Sequence, residues 1–77
     1  MSYTLYYKPE CPYCKKVLTY MKNTGVELPL ADIHEPENEA KLIELGGKKQ
    51  VPCLDIDGTA LYESMDIIYY IKDNLVK

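Results

Sequence analysis

Two cysteines, Cys11 and Cys14, stand where a run of strand formers ends and a helical stripe begins, and this seam constrains the fold more than any other feature of the chain. Residues 2–8 (Ser-Tyr-Thr-Leu-Tyr-Tyr-Lys) are rich in β-formers and stop at Pro9, which predicts a first strand. Over residues 11–24 the apolar side chains Cys14, Val17, Leu18 and Met21 recur at the spacing of a helix with one buried face. Gly25 follows where a C′ glycine ends a helix. A strand feeding directly into a helix is the opening of a β-α-β unit.

The rest of the chain continues that alternation. Residues 26–33 read as a second strand, bent or edged by Pro29. A second helix is expected over residues 35–45, with Pro36 in its first turn, Glu35, Glu37 and Glu39 at its positive end, and Gly46-Gly47 stopping it. After Val51-Pro52, a strand over Cys53–Ile56 and a return strand over Thr59–Tyr62 flank Asp57-Gly58, a strong hairpin signal. Ser64 reads as the N-cap of a last helix that turns Ile67, Ile68, Ile71 and Leu75 inward. The order βαβαββα predicts an α/β fold: a parallel first pair joined by a right-handed crossover, an antiparallel hairpin, and one four-stranded mixed sheet with helices on its faces. The whole of residues 1–77 is expected to form a single domain.

Composition narrows the partners. A chain of 77 residues buries only about 60% of its unfolded surface, so any binding site should be a shallow groove. Nine lysines, no arginine and twelve carboxylates give a net charge of −3, a poor match to a nucleic-acid backbone, and no nucleic-acid partner is expected. No apolar run reaches the roughly 18 residues of a spanning helix, and no membrane partner is expected. The start, Met1-Ser2-Tyr3-Thr4, lacks a basic segment followed by an apolar one, so a cytoplasmic, reducing home is expected. Three cysteines fit a disulfide framework poorly, and a close pair in such a compartment reads as catalytic or metal-binding.

Cys11-Pro12-Tyr13-Cys14 carries the sharpest chemistry. Unpaired N–H groups and the helix dipole favour an anion at a first turn, and cysteines so placed have pKa values lowered to roughly 3.5–7.5. Pro12 suits that turn, where a missing N–H costs nothing. Cys11 is expected to be the exposed attacker, and Cys14, one turn deeper, the thiol that resolves the mixed disulfide. The competing reading is a zinc site of Cys11, Cys14, His34 and Cys53, but the separations after the first pair match no common finger, and no metal is expected. At Gln50-Val51-Pro52 the proline is either an ordinary strand opener or a cis residue that turns the Val51 backbone outward to pair with an extended peptide. Glu63-Ser64-Met65-Asp66 reads as simple capping or as a carboxylate site. Cys53 reads as a packed thiol, with glutathionylation as the alternative, and His34 as a lone exposed loop residue. The eight tyrosines suit a core and groove edge with polar handles, Tyr69-Tyr70 reading as packing. Lys48-Lys49 reads as a solvated turn, with contact to an anionic ligand as the alternative.

Cys-Pro-Tyr-Cys after the first strand, Val-Pro before the third, and Glu-Ser-Met-Asp-Ile opening the last helix together resemble the glutaredoxins over almost the whole chain. Lys49-Gln50-Val51-Pro52 with Glu63-Ser64-Met65-Asp66-Ile67 looks closest to the glutathione-transferase-like bacterial members and their amino-terminal domains. The resemblance implies a thioredoxin-like fold and a monomeric enzyme that reduces protein disulfides and glutathione mixed disulfides, with glutathione as reductant and no permanently bound cofactor. It makes Cys11 the nucleophile and Cys14 the resolving thiol. Tyr13 would flank glutathione, and Val51, beside a cis Pro52, would pair with its backbone. Ser64 and the Met65 N–H would hold the γ-glutamyl carboxylate, Glu63 or Asp66 the amine, and Lys8, with Lys49 or Gln50, the glycyl carboxylate. Its partners would be glutathione and disulfide-containing or glutathionylated proteins. Three departures stand out. Gln50 replaces a common Thr, the Gly-Gly before the last helix is absent, and the helical second domain of the transferase-like members does not follow Lys77, so a transferase reaction is not expected. Some members from anaerobes carry selenocysteine where Cys11 stands. Two other readings share the features: a redoxin recharged by thioredoxin reductase, and a glutathione-ligated 2Fe–2S carrier, the latter disfavoured because such carriers typically have a monothiol Cys-Gly-Phe-Ser loop.

Overall fold

The computed structural model describes residues 2–76; the two ends of the 1–77 span expected as one domain lie outside the described residues. Four strands and three helices follow in the order β1 (Tyr3–Tyr7), α1 (Pro12–Thr24), β2 (Leu30–Asp32), α2 (Pro36–Gly46), β3 (Cys53–Ile56), β4 (Thr59–Tyr62) and α3 (Ser64–Asn74). The sheet order is β2-β1-β3-β4, with β1 parallel to β2 and antiparallel to β3, and β3 antiparallel to β4. This is the α/β architecture and mixed sheet that the pattern predicts.

The period of two along β1 builds both layers. Leu5 faces a core of Val17, Met21, Leu54, Ile67 and Ile71, so α1 and α3 lie on that side. Its neighbour Tyr6 faces the other way, into Ala31, Ile33, Leu42 and Cys53 beneath α2. On β3 the same alternation puts Cys53 under α2 and Leu54 under α1 and α3. Fully burying each Leu or Ile is worth roughly 1.5–3 kcal/mol, whereas exposed ion pairs such as Lys41–Glu37 at 3.8 Å contribute about 0–1 kcal/mol. Packing of the two apolar faces therefore sets the fold. Among the described residues no helix is long and apolar enough to cross a membrane.

Local signals set most boundaries. Cys11 is the N-cap of α1 with Pro12 at its first position, and Gly25 closes it at φ 74 with its N–H on the Met21 carbonyl. Asp57 and Gly58 both take positive φ, 51° and 89°, as a tight primed hairpin turn demands. Four expectations need correction. β2 begins at Leu30, not Val26, because Pro29 has no N–H to give; its carbonyl instead accepts from Leu5 N–H at 2.8 Å, and pairing starts one residue later. α2 runs through Gly46 before Gly47 ends it in the left-handed region. The N-cap of α3 is Glu63 and not Ser64, which is already helical and buried. Tyr69 is exposed, while its neighbour Tyr70 sits edge-on to Tyr3 with the two hydroxyls 3.1 Å apart.

Gly46 is in the helix for a steric reason. A Cβ there would run into the Tyr62 hydroxyl, which is sealed from solvent with the Cys53 thiol as the polar group beside it. Alanine ordinarily gains about 1 kcal/mol over glycine inside a helix, but overpacking costs about 1–3 kcal/mol. Gly46→Ala is therefore expected to lower the unfolding free energy by about 1 kcal/mol in urea titration. In a Tyr62→Phe background, which removes the hydroxyl and leaves the ring carbon 2.8 Å from the new Cβ, the same substitution should cost less than in the native one. A stabilising Gly46→Ala in the native background would disprove the contact.

Candidate functional site

The first turn of α1 sets the two cysteines in opposite environments. Cys11 is half-buried and Cys14 fully buried, and both are free thiols. Partial burial opposes ionisation of Cys11. That effect is outweighed by the Cys14 N–H, the Cys14 thiol, the Tyr13 N–H and the Lys8 charge, and the net result is a lowered pKa. No side-chain cap bond closes at Cys11, so these first-turn N–H groups act as a directional field that favours the thiolate. Cys14 goes the other way. Burial foremost, helped by the Cys11 thiol, pushes it up to about 12, although the Lys8 N–H points at its Sγ from 3.5 Å. One thiol is shifted toward its thiolate and its neighbour is held protonated.

A groove of about 470 Å³ lies beside this turn, lined by Tyr13, Lys16, Gln50, Val51, Pro52, Glu63, Ser64 and Met65. Three separate stretches of chain meet in it: the start of α1, the segment before β3 and the start of α3. The Val51–Pro52 bond is cis, and no backbone hydrogen bond among the described residues engages Val51. Gln50 Nε2 donates to Glu63 Oε1 at 3.4 Å, tying that segment to α3. Glu63 holds φ 73 with ψ 121, a positive-φ conformation that costs a non-glycine residue of order 1–3 kcal/mol and that turns the chain sharply into α3. Ser64 and Met65 bring first-turn N–H groups to the groove wall, where a carboxylate is favoured. A slightly larger cleft, about 510 Å³, opens at the far end of the α1–α3 pair around Gly25 and Leu75, away from both cysteines.

The residues singled out by sequence thus divide. Tyr13, Gln50, Val51, Pro52, Glu63, Ser64 and Met65 converge on the groove, with Cys11 and Cys14 at the turn beside it. Lys8 acts on the thiols and does not line the groove, and Asp66 is exposed on the first turn of α3 outside the lining. Lys49 is engaged elsewhere, 3.4 Å from Glu39, and Lys48 lies over the Tyr62 ring at 4.3 Å. Lys16 was not anticipated, although it follows Tyr13 by three residues and so continues the same helix face. Cys53 is buried on the α2 side of the sheet, and burial first, then Asp55, pushes its thiol up to about 11. That placement supports a packed thiol, on the face of the sheet opposite α1, the helix that carries Cys11 and Cys14. Among the described residues no three His, Cys, Asp or Glu side chains gather as a metal site. His34 is exposed as expected but is not alone: its ring nitrogens meet Glu10 and Asp32, each at 2.9 Å. No linear spacing signals that cluster.

Residues 5–75 match the family model described as glutathione S-transferase, N-terminal domain. The chain is 38% identical over 74 residues to glutathione S-transferase D7 of Anopheles gambiae, covering 92% of this chain and 34% of that protein. It is 28% identical over 68 residues to a probable maleylacetoacetate isomerase of Caenorhabditis elegans, covering 88% of this chain and 32% of that protein. Among solved structures, a delta-class glutathione transferase of Nilaparvata lugens superposes with a TM-score of 0.80 at 33% identity, over 97% of this chain and 37% of that one. The chain thus spans about a third of the length of these relatives. With the family model covering nearly every described residue, and a four-stranded thioredoxin-like sheet that matches the transferases' own, the chain belongs to the glutathione S-transferase N-terminal domain family.

Proposed function

We propose that this chain is a glutathione-dependent thiol–disulfide oxidoreductase of the glutaredoxin kind. The observation that carries the reading is the opposed ionisation of Cys11 and Cys14 within one helical turn, at the lip of a groove sized for a peptide-like ligand. The Cys11 thiolate attacks one sulfur of a substrate disulfide. The S–S bond breaks, and the departing thiolate takes up a proton. When the substrate is glutathionylated, Cys11 keeps the glutathionyl group and a second glutathione removes it as oxidised glutathione. When the substrate is a protein disulfide, Cys14 gives up its proton, attacks the mixed disulfide and closes the Cys11–Cys14 bond, and two glutathiones reopen it. In this reading Val51 pairs with the glutathione backbone, Tyr13 covers it, and Ser64 and Met65 face its γ-glutamyl carboxylate with Glu63 near the amine. Lys16 takes the glycyl end in place of Lys49, which Glu39 holds, and of Gln50, which is bonded to Glu63. The enzyme works as a monomer in the cytoplasm, where its thiols stay reduced.

A second reading has a specific basis: the named relatives are glutathione transferases and an isomerase, proteins about three times as long. There the groove would bind glutathione for attack on an electrophile, and Cys11 would form no covalent intermediate. A redoxin recharged by thioredoxin reductase is the third.

One set of assays separates them. Reduction of a small glutathione mixed disulfide is measured with electrons supplied through glutathione and its reductase, and again through thioredoxin reductase. Conjugation of glutathione to an aromatic halide is measured alongside. Turnover confined to the first assay is the expected result. Turnover confined to the second would demote the groove to strand and helix packing, and conjugation alone would make the chain a transferase module. Cys11→Ser is expected to abolish reduction of every disulfide, while Cys14→Ser keeps deglutathionylation and loses dithiol reduction of protein disulfides; activity surviving in Cys11→Ser would overturn the assignment. The pH dependence follows from the directions of the two shifts. Cys11, depressed below the ordinary 9.0, should alkylate with iodoacetamide at a rate whose midpoint lies below that of a free thiol, falling about tenfold per unit once the pH drops beneath it. Cys14, raised to about 12, should resist alkylation until the chain is denatured.

A further inference from the structure

The residue immediately before Cys11 is a carboxylate, and the structure holds it in an unusual way. Glu10 Oε2 lies 2.9 Å from His34 Nε2, and the other ring nitrogen of His34 lies 2.9 Å from Asp32 Oδ1. An ionised carboxylate only accepts, and a neutral imidazole carries one N–H, so two carboxylates on both nitrogens are satisfied together only by the imidazolium. The ring stands on a fixed post. Asp32 Oδ1 also accepts the His34 backbone N–H at 2.9 Å, and the Asp32 carbonyl accepts from Glu35 N–H at 3.1 Å and Asn38 Nδ2 at 3.0 Å, locking the turn between β2 and α2. Glu10 instead sits on a short exposed turn between β1 and α1. The bridge therefore spans the ends of two parallel neighbouring strands, with Asp32 and the ring on the β2 side and Glu10, whose carboxylate also meets its own backbone N–H, beside the nucleophile.

We propose that His34 is a positioning residue for Cys11: its imidazolium holds the Glu10 carboxylate aside, so that no like charge bears on the adjacent thiolate. The proposal rests on the reading of Cys11 as the nucleophile. The groups facing His34 are Glu10 from the β1–α1 turn and Asp32 from the end of β2, and Lys8 is the further charge that acts on both Glu10 and Cys11. The charge felt by Cys11 in this arrangement is the favourable one of Lys8. Released, Glu10 is one residue away, and a carboxylate within reach of a thiolate raises the thiol pKa. The hydrogen bond to Glu10, foremost, raises the pKa of His34, which keeps the clamp closed to higher pH than an isolated histidine allows. Both partners are more than half exposed, so the bridge does little for folding stability, and its effect falls on the neighbouring sulfur.

The test is a mutant cycle read on the reduced full chain, with Cys11 titrated by its ultraviolet thiolate absorbance and by its alkylation rate across pH. His34→Asn is expected to raise the Cys11 midpoint by about half a unit, seen as about threefold slower alkylation below it. Glu10→Gln alone should leave the midpoint at or below the native value, and the Glu10→Gln/His34→Asn double variant should return to it, because the repelling charge is gone. If Glu10→Gln raised the midpoint as much as His34→Asn and the double variant stayed there, the bridge would merely order the turn and the proposal would fail. A His34→Asn curve superimposable on the native one, with Cys11 still required for turnover, would also sink it alone. Turnover surviving in Cys11→Ser would remove the nucleophile assignment and this proposal together.

Discussion

Everything in this molecule hangs on β1 having two buried faces. It is an inner strand, paired on one edge with β2 and on the other with β3, and its consecutive residues Leu5 and Tyr6 seed the two cores. A strand that must satisfy both faces cannot slip by one residue without exchanging its cores, so its register is firmly set. That register places the end of β1, and hence the first turn of α1, at a fixed height above the sheet. The thiol at the N-cap owes its environment to this: the N–H groups of Tyr13 and Cys14 act on Cys11 because packing holds the helix there, with Val17 and Met21 buried against Leu5 and Leu54.

The groove depends on the same face. Its two helical walls are the first turns of α1 and α3, which pack together over the sheet through Val17, Met21, Ile67 and Ile71. Its third wall, Gln50 to Pro52, is tied to α3 by the bond from Gln50 to Glu63. The spacing of the two helical walls is thus set by core side chains outside the groove lining. The strained conformation of Glu63 belongs to the same arrangement, since the chain must leave the edge strand β4 and turn at once into a helix lying over the sheet's face.

Much of this was legible in the residues. Period-two and helical patterns, Gly25, Asp57-Gly58 and the Cys-Pro-Tyr-Cys seam located every element, because each is a local preference that the global packing also rewards. What escaped reading depended on contacts between distant parts of the chain. Pro29 shortens β2 because its carbonyl and not its missing N–H meets Leu5, and Gly46 belongs inside α2 because Tyr62 arrives from β4. Serine before an apolar run looked like a cap, but Glu63 occupies that place through a backbone angle that composition does not announce. Lys16 could have been found by carrying the helix face forward from Tyr13. The Glu10–His34–Asp32 cluster joins two turns that only the parallel pairing of β1 and β2 brings together.

The alternation along β3 has a chemical consequence for the third cysteine. Cys53 points beneath α2, whereas Cys11 and Cys14 belong to a helix on the opposite face, so the sheet stands between them as a partition. A disulfide needs Cβ atoms about 3.5–4.5 Å apart, and a thiol across a layer of backbone is poorly placed to meet that. The odd cysteine therefore does not scramble the pair. Of the three thiols, the two on the first turn of α1 are the pair that the fold leaves side by side.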